Sequence, residues 1–91
     1  MIREEDAPWL LEQLEQLAAR LGVEVRYEYL GERDDGPSFR SGTCRVRGEP
    51  VVIIDRYRSP VERCRLLLCE LQTYDLSKVF VSPAVRRLLD G

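Results

Sequence analysis

Four β-branched residues in a row, Val51-Val52-Ile53-Ile54, constrain the fold of this chain more than any other stretch. A strand with one wet face alternates apolar and polar side chains, so an unbroken run predicts a central strand covered on both faces. Asp55 ends it. Ser59-Pro60-Val61-Glu62 then opens a helix. Ser59 is suited to accept from the first-turn N–H groups, and Glu62 to reach back to the Ser59 N–H. Pro60 at the first helical position brings a preset φ. The helix carries two apolar stripes. Val61, Cys64, Leu67, Leu68, Leu71 and Tyr74 form the wide one. Leu66, Cys69 and Thr73 form a narrower one on roughly the opposite side, and this stripe is the expected interaction surface.

The other segments arrange themselves around that unit. Leu10, Leu14, Leu17, Ala18 and Leu21 recur at helical spacing, which predicts an amphipathic helix over about residues 8–21. Asp6 is its expected N-cap, Gly22 its stop, and Trp9 an anchor of its first turn by core packing. Val23 to Leu30 alternates, with Val23, Val25, Tyr27 and Tyr29 on one side and Glu24, Arg26 and Glu28 on the other. That is a strand with one solvated face. Gly31 to Gly42 is a polar loop with Phe39 as its pin, and Asp34 and Asp35 are solvated turn residues. Thr43 to Arg47 is a second alternating strand, joined through Gly48-Glu49 to Pro50–Asp55 as a hairpin. If the first strand lies beside the second, Arg45 and Arg47 face Glu24 and Glu28 across the sheet. Val79-Phe80-Val81 reads as a short fourth strand, paired in parallel after a right-handed crossover. Ser82-Pro83 caps a last helix bearing Ala84, Val85, Leu88 and Leu89. The expected class is α+β: a small mixed sheet of about four strands with helices packed on it, in the order α-β-β-β-α-β-α.

Ninety-one residues predict a single domain, 1–91, with 1–5 frayed. The start, MIREEDAPW, is acidic and has no apolar leader core, and no apolar run approaches 18 residues. Both point to a cytoplasmic protein that does not enter a membrane. The chain contains no histidine, the commonest general base near neutral pH and the commonest metal ligand. A net charge of −2 argues against general nucleic-acid affinity. The charge is uneven, however: residues 1–35 are rich in acids, residues 40–65 in arginines. Arg40, Arg56, Arg58, Arg63 and Arg65, gathered about the Asp55–Ser59 loop with Tyr57, form a possible anion contact. The three cysteines include no C-x-x-C pair.

The words GTCRVRGEPVVIID and ERCRLLLCELQTYDL, and the order of the first five elements, resemble the N-terminal half of ImmA/IrrE-type zincin-like metallopeptidases. In that family a His-Glu-x-x-His helix binds zinc through two histidines one turn apart, and the glutamate activates the metal-bound water. The motif falls here on Cys69-Glu70-Leu71-Gln72-Thr73. Only Glu70 is retained, and the part that would supply a third ligand is nearly absent. The resemblance therefore implies a degenerate, truncated scaffold, a pseudoenzyme without its catalytic site.

Two functional expectations follow. The first is a small non-enzymatic interaction domain that acts on a protein partner or a second copy, with no cofactor, catalytic residue or metal. The alternative is a thiol-dependent module, metal-binding or redox-sensing, using Cys44, Cys64 or Cys69. Cys44, Cys69 and Glu70 are its candidate metal ligands.

Overall fold

The computed structural model describes residues 2–29 and 42–90. Its elements run α1 (Ala7–Arg20), β1 (Glu24–Glu28), β2 (Gly42–Val46), β3 (Glu49–Asp55), α2 (Pro60–Leu71) and α3 (Pro83–Asp90). The class is α+β, as the sequence predicts. Expectations for Asp34, Asp35, Phe39 and Arg40 fall on 30–41, outside the described residues.

The amphipathic spacing builds α1 as expected. Leu10, Leu14, Leu17 and Ala18 are buried along one side. Its end is a Schellman turn: Val23 N–H donates to Ala18 O at 2.9 Å and Gly22 N–H to Ala19 O at 3.1 Å, with Gly22 at φ +76°. Its start differs from expectation. Asp6 occupies the N-cap position with helical φ/ψ, and its side chain makes no capping bond. A preceding turn sets the entry instead, with Arg3 O accepting from the N–H groups of Asp6 and Ala7, both at 3.1 Å. Within the first five residues, Ile2 packs against the core, whereas Arg3, Glu4 and Glu5 are exposed.

The described sheet has three strands in the order β1-β3-β2. β3 is central: β1 pairs with it in parallel and β2 antiparallel. This corrects two expectations. The sheet is mixed because of the β1–β3 pair, not because of a fourth strand. Val79-Phe80-Val81 forms no strand; it is an irregular connector to α3. Three apolar residues after a turn lack the length to reach an edge and pair, and Val79 and Val81 pack on the core from the connector instead. Nor does β1 lie beside β2, so Arg45 and Arg47 do not face Glu24 and Glu28. Arg45 instead donates to Gly48 O at 2.9 Å, and Arg26 pairs with Glu24 on its own strand at 2.7 Å. The hairpin turn is Arg47-Gly48, one residue earlier than expected. Both residues have positive φ, +54° and +82°, as a two-residue turn matched to strand twist requires.

Register sorts the two faces. Val52 and Ile54, with Val25 and Tyr27 beside them, join the core built by the three helices. Val51 is only 2% exposed but lies outside that cluster, on the opposite face with half-buried Ile53. Cys44 pairs with Val51 and Val46 with Glu49, so the apolar side chains of β2 point away from the helices. Both are exposed.

α2 supplies Cys64, Leu67, Leu68 and Leu71 to the core. Ser59 Oγ accepts from Glu62 N–H at 3.3 Å as expected, but the Glu62 carboxylate does not reach back. It pairs instead with Arg58, one turn earlier, at 3.1 Å. α3 buries Val85 and Leu89 and is tied to the end of α2 by Gln72 Nε2 donating to Leu89 O at 2.8 Å.

Candidate interaction surface

Of the arginines that sequence reasoning offered for anion binding, Arg58 and Arg63 are engaged in holding the fold. Arg63 donates through Nε to Arg58 O at 3.1 Å and through Nη2 to Arg56 O, pinning the loop between β3 and α2. Its guanidinium lies 5.1 Å from the centre of the Tyr27 ring. Tyr27 O–H in turn donates to Glu15 of α1 at 2.5 Å. Burial first, then the Glu15 hydrogen bond and charge, push the Tyr27 hydroxyl far above its ordinary range, with Arg63 opposing. One chain of contacts therefore joins α1, β1, α2 and the Asp55–Ser59 loop. Arg58 is paired with Glu62, and Arg56 lies 5.8 Å from the Tyr57 ring centre. The expected anion cluster of Arg56, Arg58, Arg63 and Arg65 is thus already committed at Arg58 and Arg63, leaving Arg56 and Arg65 at the surface.

The three thiols are far apart in character. Cys44 is exposed on the sheet face opposite the described helices, Cys69 is exposed on α2, and Cys64 is fully buried. Cys64 donates to Ala7 O at 3.3 Å, and burial, then the Glu15 charge, push its thiol up to about 11. Among the described residues no group of three or more Cys, Asp or Glu side chains converges as a metal site. Cys44, Cys69 and Glu70 in particular do not meet, because Cys44 points to the face opposite the helix layer. Thr73 lies past the last residue of α2, and its hydroxyl donates to Glu70 O at 2.7 Å.

The expected contact stripe is only partly open. Leu66 is half-buried and packs against the core, whereas Cys69 and Thr73 are exposed. The large exposed apolar side chains stand elsewhere. Tyr29 and Tyr57, 66% and 71% exposed, meet edge to face at 5.2 Å beyond the ends of β1 and β3. Trp9 is 51% exposed on α1, and Phe80 is 71% exposed just before α3.

Trp9 and Phe80 mark two clefts between antiparallel α1 and α3. One, of about 290 Å³, is lined by Ile2, Trp9, Leu10, Ala84 and Leu88, with Arg3 and Asp6 at its rim. The other, about 60 Å³, lies between Gln13, Leu17, Phe80 and Val85. Arg20 closes its end by donating to Phe80 O at 3.3 Å. Sequence reading missed this groove by assigning Trp9 to the core and Phe80 to a strand. A helical wheel held the signal for Trp9, which sits about 100° from Leu10 and off the buried stripe. Phe80 carried none, since its exposure depends on the connector failing to pair.

No helix among the described residues is long and apolar enough to cross a membrane. Set against known proteins, the chain matches no family model, no curated protein and no solved structure.

Proposed function

We propose that this chain is a protein-interaction domain without a catalytic centre of its own, and that it receives another polypeptide in the groove between α1 and α3. The exposure of two large apolar side chains, Trp9 and Phe80, along that groove carries the reading. Aromatic side chains in a cleft with a charged rim are the usual anchors of a protein contact. The lack of histidine supports the non-enzymatic half, as does the raised thiol of Cys64, which holds that sulfur in its less nucleophilic form. On this reading, Cys69 and Thr73 are surface residues of a metallopeptidase-like scaffold that has lost its reaction centre.

A photo-crosslinking residue placed at Ala84, in the groove, and at Arg65, on exposed α2, tests the assignment in cells. A discrete adduct from position 84 and none from 65 is expected. Adducts from 65 alone, or from neither position, would remove the groove as the contact surface.

A further inference from the structure

The groove is self-complementary, and we infer that its occupant is a second copy of this chain, packed with the two α1 helices antiparallel. This rests on the groove being a contact surface at all. The inference starts from the outer stripe of α1. Trp9 and Arg20 are 11 positions apart, so they point within about 20° of each other and stand about 16 Å apart along the axis. Between them on that stripe lie Gln13 and Gln16. A twofold axis crossing the helix midway between Gln13 and Gln16 sets Trp9 opposite Arg20 of the other copy. It also sets Gln13 opposite the other copy's Gln16, and each pair occurs twice.

Each of these pairings is chemically matched. A guanidinium over an indole face is a favourable contact, strongest where water is excluded. Two glutamine side chains each offer a donor and an acceptor, so they satisfy one another across a twofold axis. α3 lies on the same flank of α1 in both copies and therefore stays on one side of the pair. The rotation carries Phe80 of one copy to the Trp9 end of the other. There the larger cleft, walled by Ile2, Leu10, Ala84 and Leu88, receives its ring. Arg20, held beside Phe80 by its bond to the Phe80 carbonyl, then arrives near Asp6 on the cleft rim. Knob and hole, cation and anion thus sit at opposite ends of one groove, spaced for mutual exchange. A heterologous partner would have no reason to match this spacing.

Sedimentation velocity from about 1 to about 200 µM reads the association directly, and Trp9, the chain's one tryptophan, reports it by a blue shift of emission. A concentration-dependent dimer is expected. Phe80→Asp and Arg20→Glu, both at exposed sites, should each weaken it at least about tenfold with unchanged far-ultraviolet circular dichroism. With Cys44→Ser and Cys69→Ser as background, Gln16→Cys should form a disulfide-linked dimer and Arg65→Cys should not. A monomer throughout the range, or a dimer indifferent to both charge variants, overturns the self-pairing. If a groove crosslinker then still yields an adduct to a different chain, the interaction reading survives; if it yields none, both fail.

Discussion

Raising the pH should destabilise this protein through one sulfur atom. Cys64 is 0% exposed, wedged between α2 and the first turn of α1, where it donates to Ala7 O at 3.3 Å. Its thiol is pushed from 9.0 up to about 11 by burial and the Glu15 charge. The folded value lies above the unfolded one, so the contribution is complete below pH 9. It is lost as pH rises toward 11, because the unfolded chain gives up this proton first. Each pH unit in that window costs up to about 1.4 kcal/mol, giving a total near 2–3 kcal/mol. That is a large part of the stability of a domain this small. Urea denaturation at pH 7, 8.5, 9.5 and 10.5, followed by Trp9 fluorescence, measures it. The comparison is between the protein and Cys64→Ala, each with Cys44→Ser and Cys69→Ser. Tyr27, also raised, adds a decline of the same sign above pH 10 in both, so the difference between the curves isolates Cys64. At pH 7 the variant should be less stable by about 1–2 kcal/mol, from lost packing and one hydrogen bond. By pH 10.5 the gap should close or reverse. Parallel curves across the whole range would refute the reasoning, since they would mean that Cys64 ionises as readily in the folded protein as in the unfolded chain.

Other substitutions test the packing. Ser59→Ala should cost about 1 kcal/mol in chemical denaturation by leaving the Glu62 N–H without its cap; no loss would mean that the cap is not formed in solution. Leu67→Ala, at a fully buried site, should cost about 2–5 kcal/mol. Leu66→Ala, half-buried, should stay under about 1.5 kcal/mol, and a reversed order would invalidate the facing of α2. In the folded protein a thiol reagent should label Cys44 and Cys69 quickly, and Cys64 only as fast as the core opens; equal rates at all three would contradict the burial pattern.

What the sequence made legible was whatever depends on local pattern. The Leu10–Leu14–Leu17 spacing specified α1, Gly22 specified its end, and Ser59-Pro60 specified the start of α2. Alternation in β1 sorted Val25 and Tyr27 from Glu24 and Arg26 correctly. The misses depend on pairing partners, which no local pattern encodes. Alternation marked Cys44 and Val46 as one set without giving its facing, and the hairpin register with Val51 and Glu49 turns them outward. The unbroken Val51–Ile54 run announced a central strand, but not which neighbour would lie on each side. Trp9 and Phe80 were misplaced for the same reason. Their surroundings are set by how α3 crosses α1, a relation between segments more than 60 positions apart in the chain.

The strand order β1-β3-β2 also imposes a history on the chain. The turn at Arg47-Gly48 lets β2 and β3 zip together on the microsecond scale of a hairpin. β1 must wait for a partner 27 positions away, as the pairing of Glu24 with Val51 shows. During synthesis β1 therefore leaves the ribosome before β3 and stays unpaired until β3 has followed it. Amide protection at Val25 to Tyr27 should accordingly lag that at Cys44 to Val46 in pulsed hydrogen exchange, and the reverse order would contradict this sequence of events.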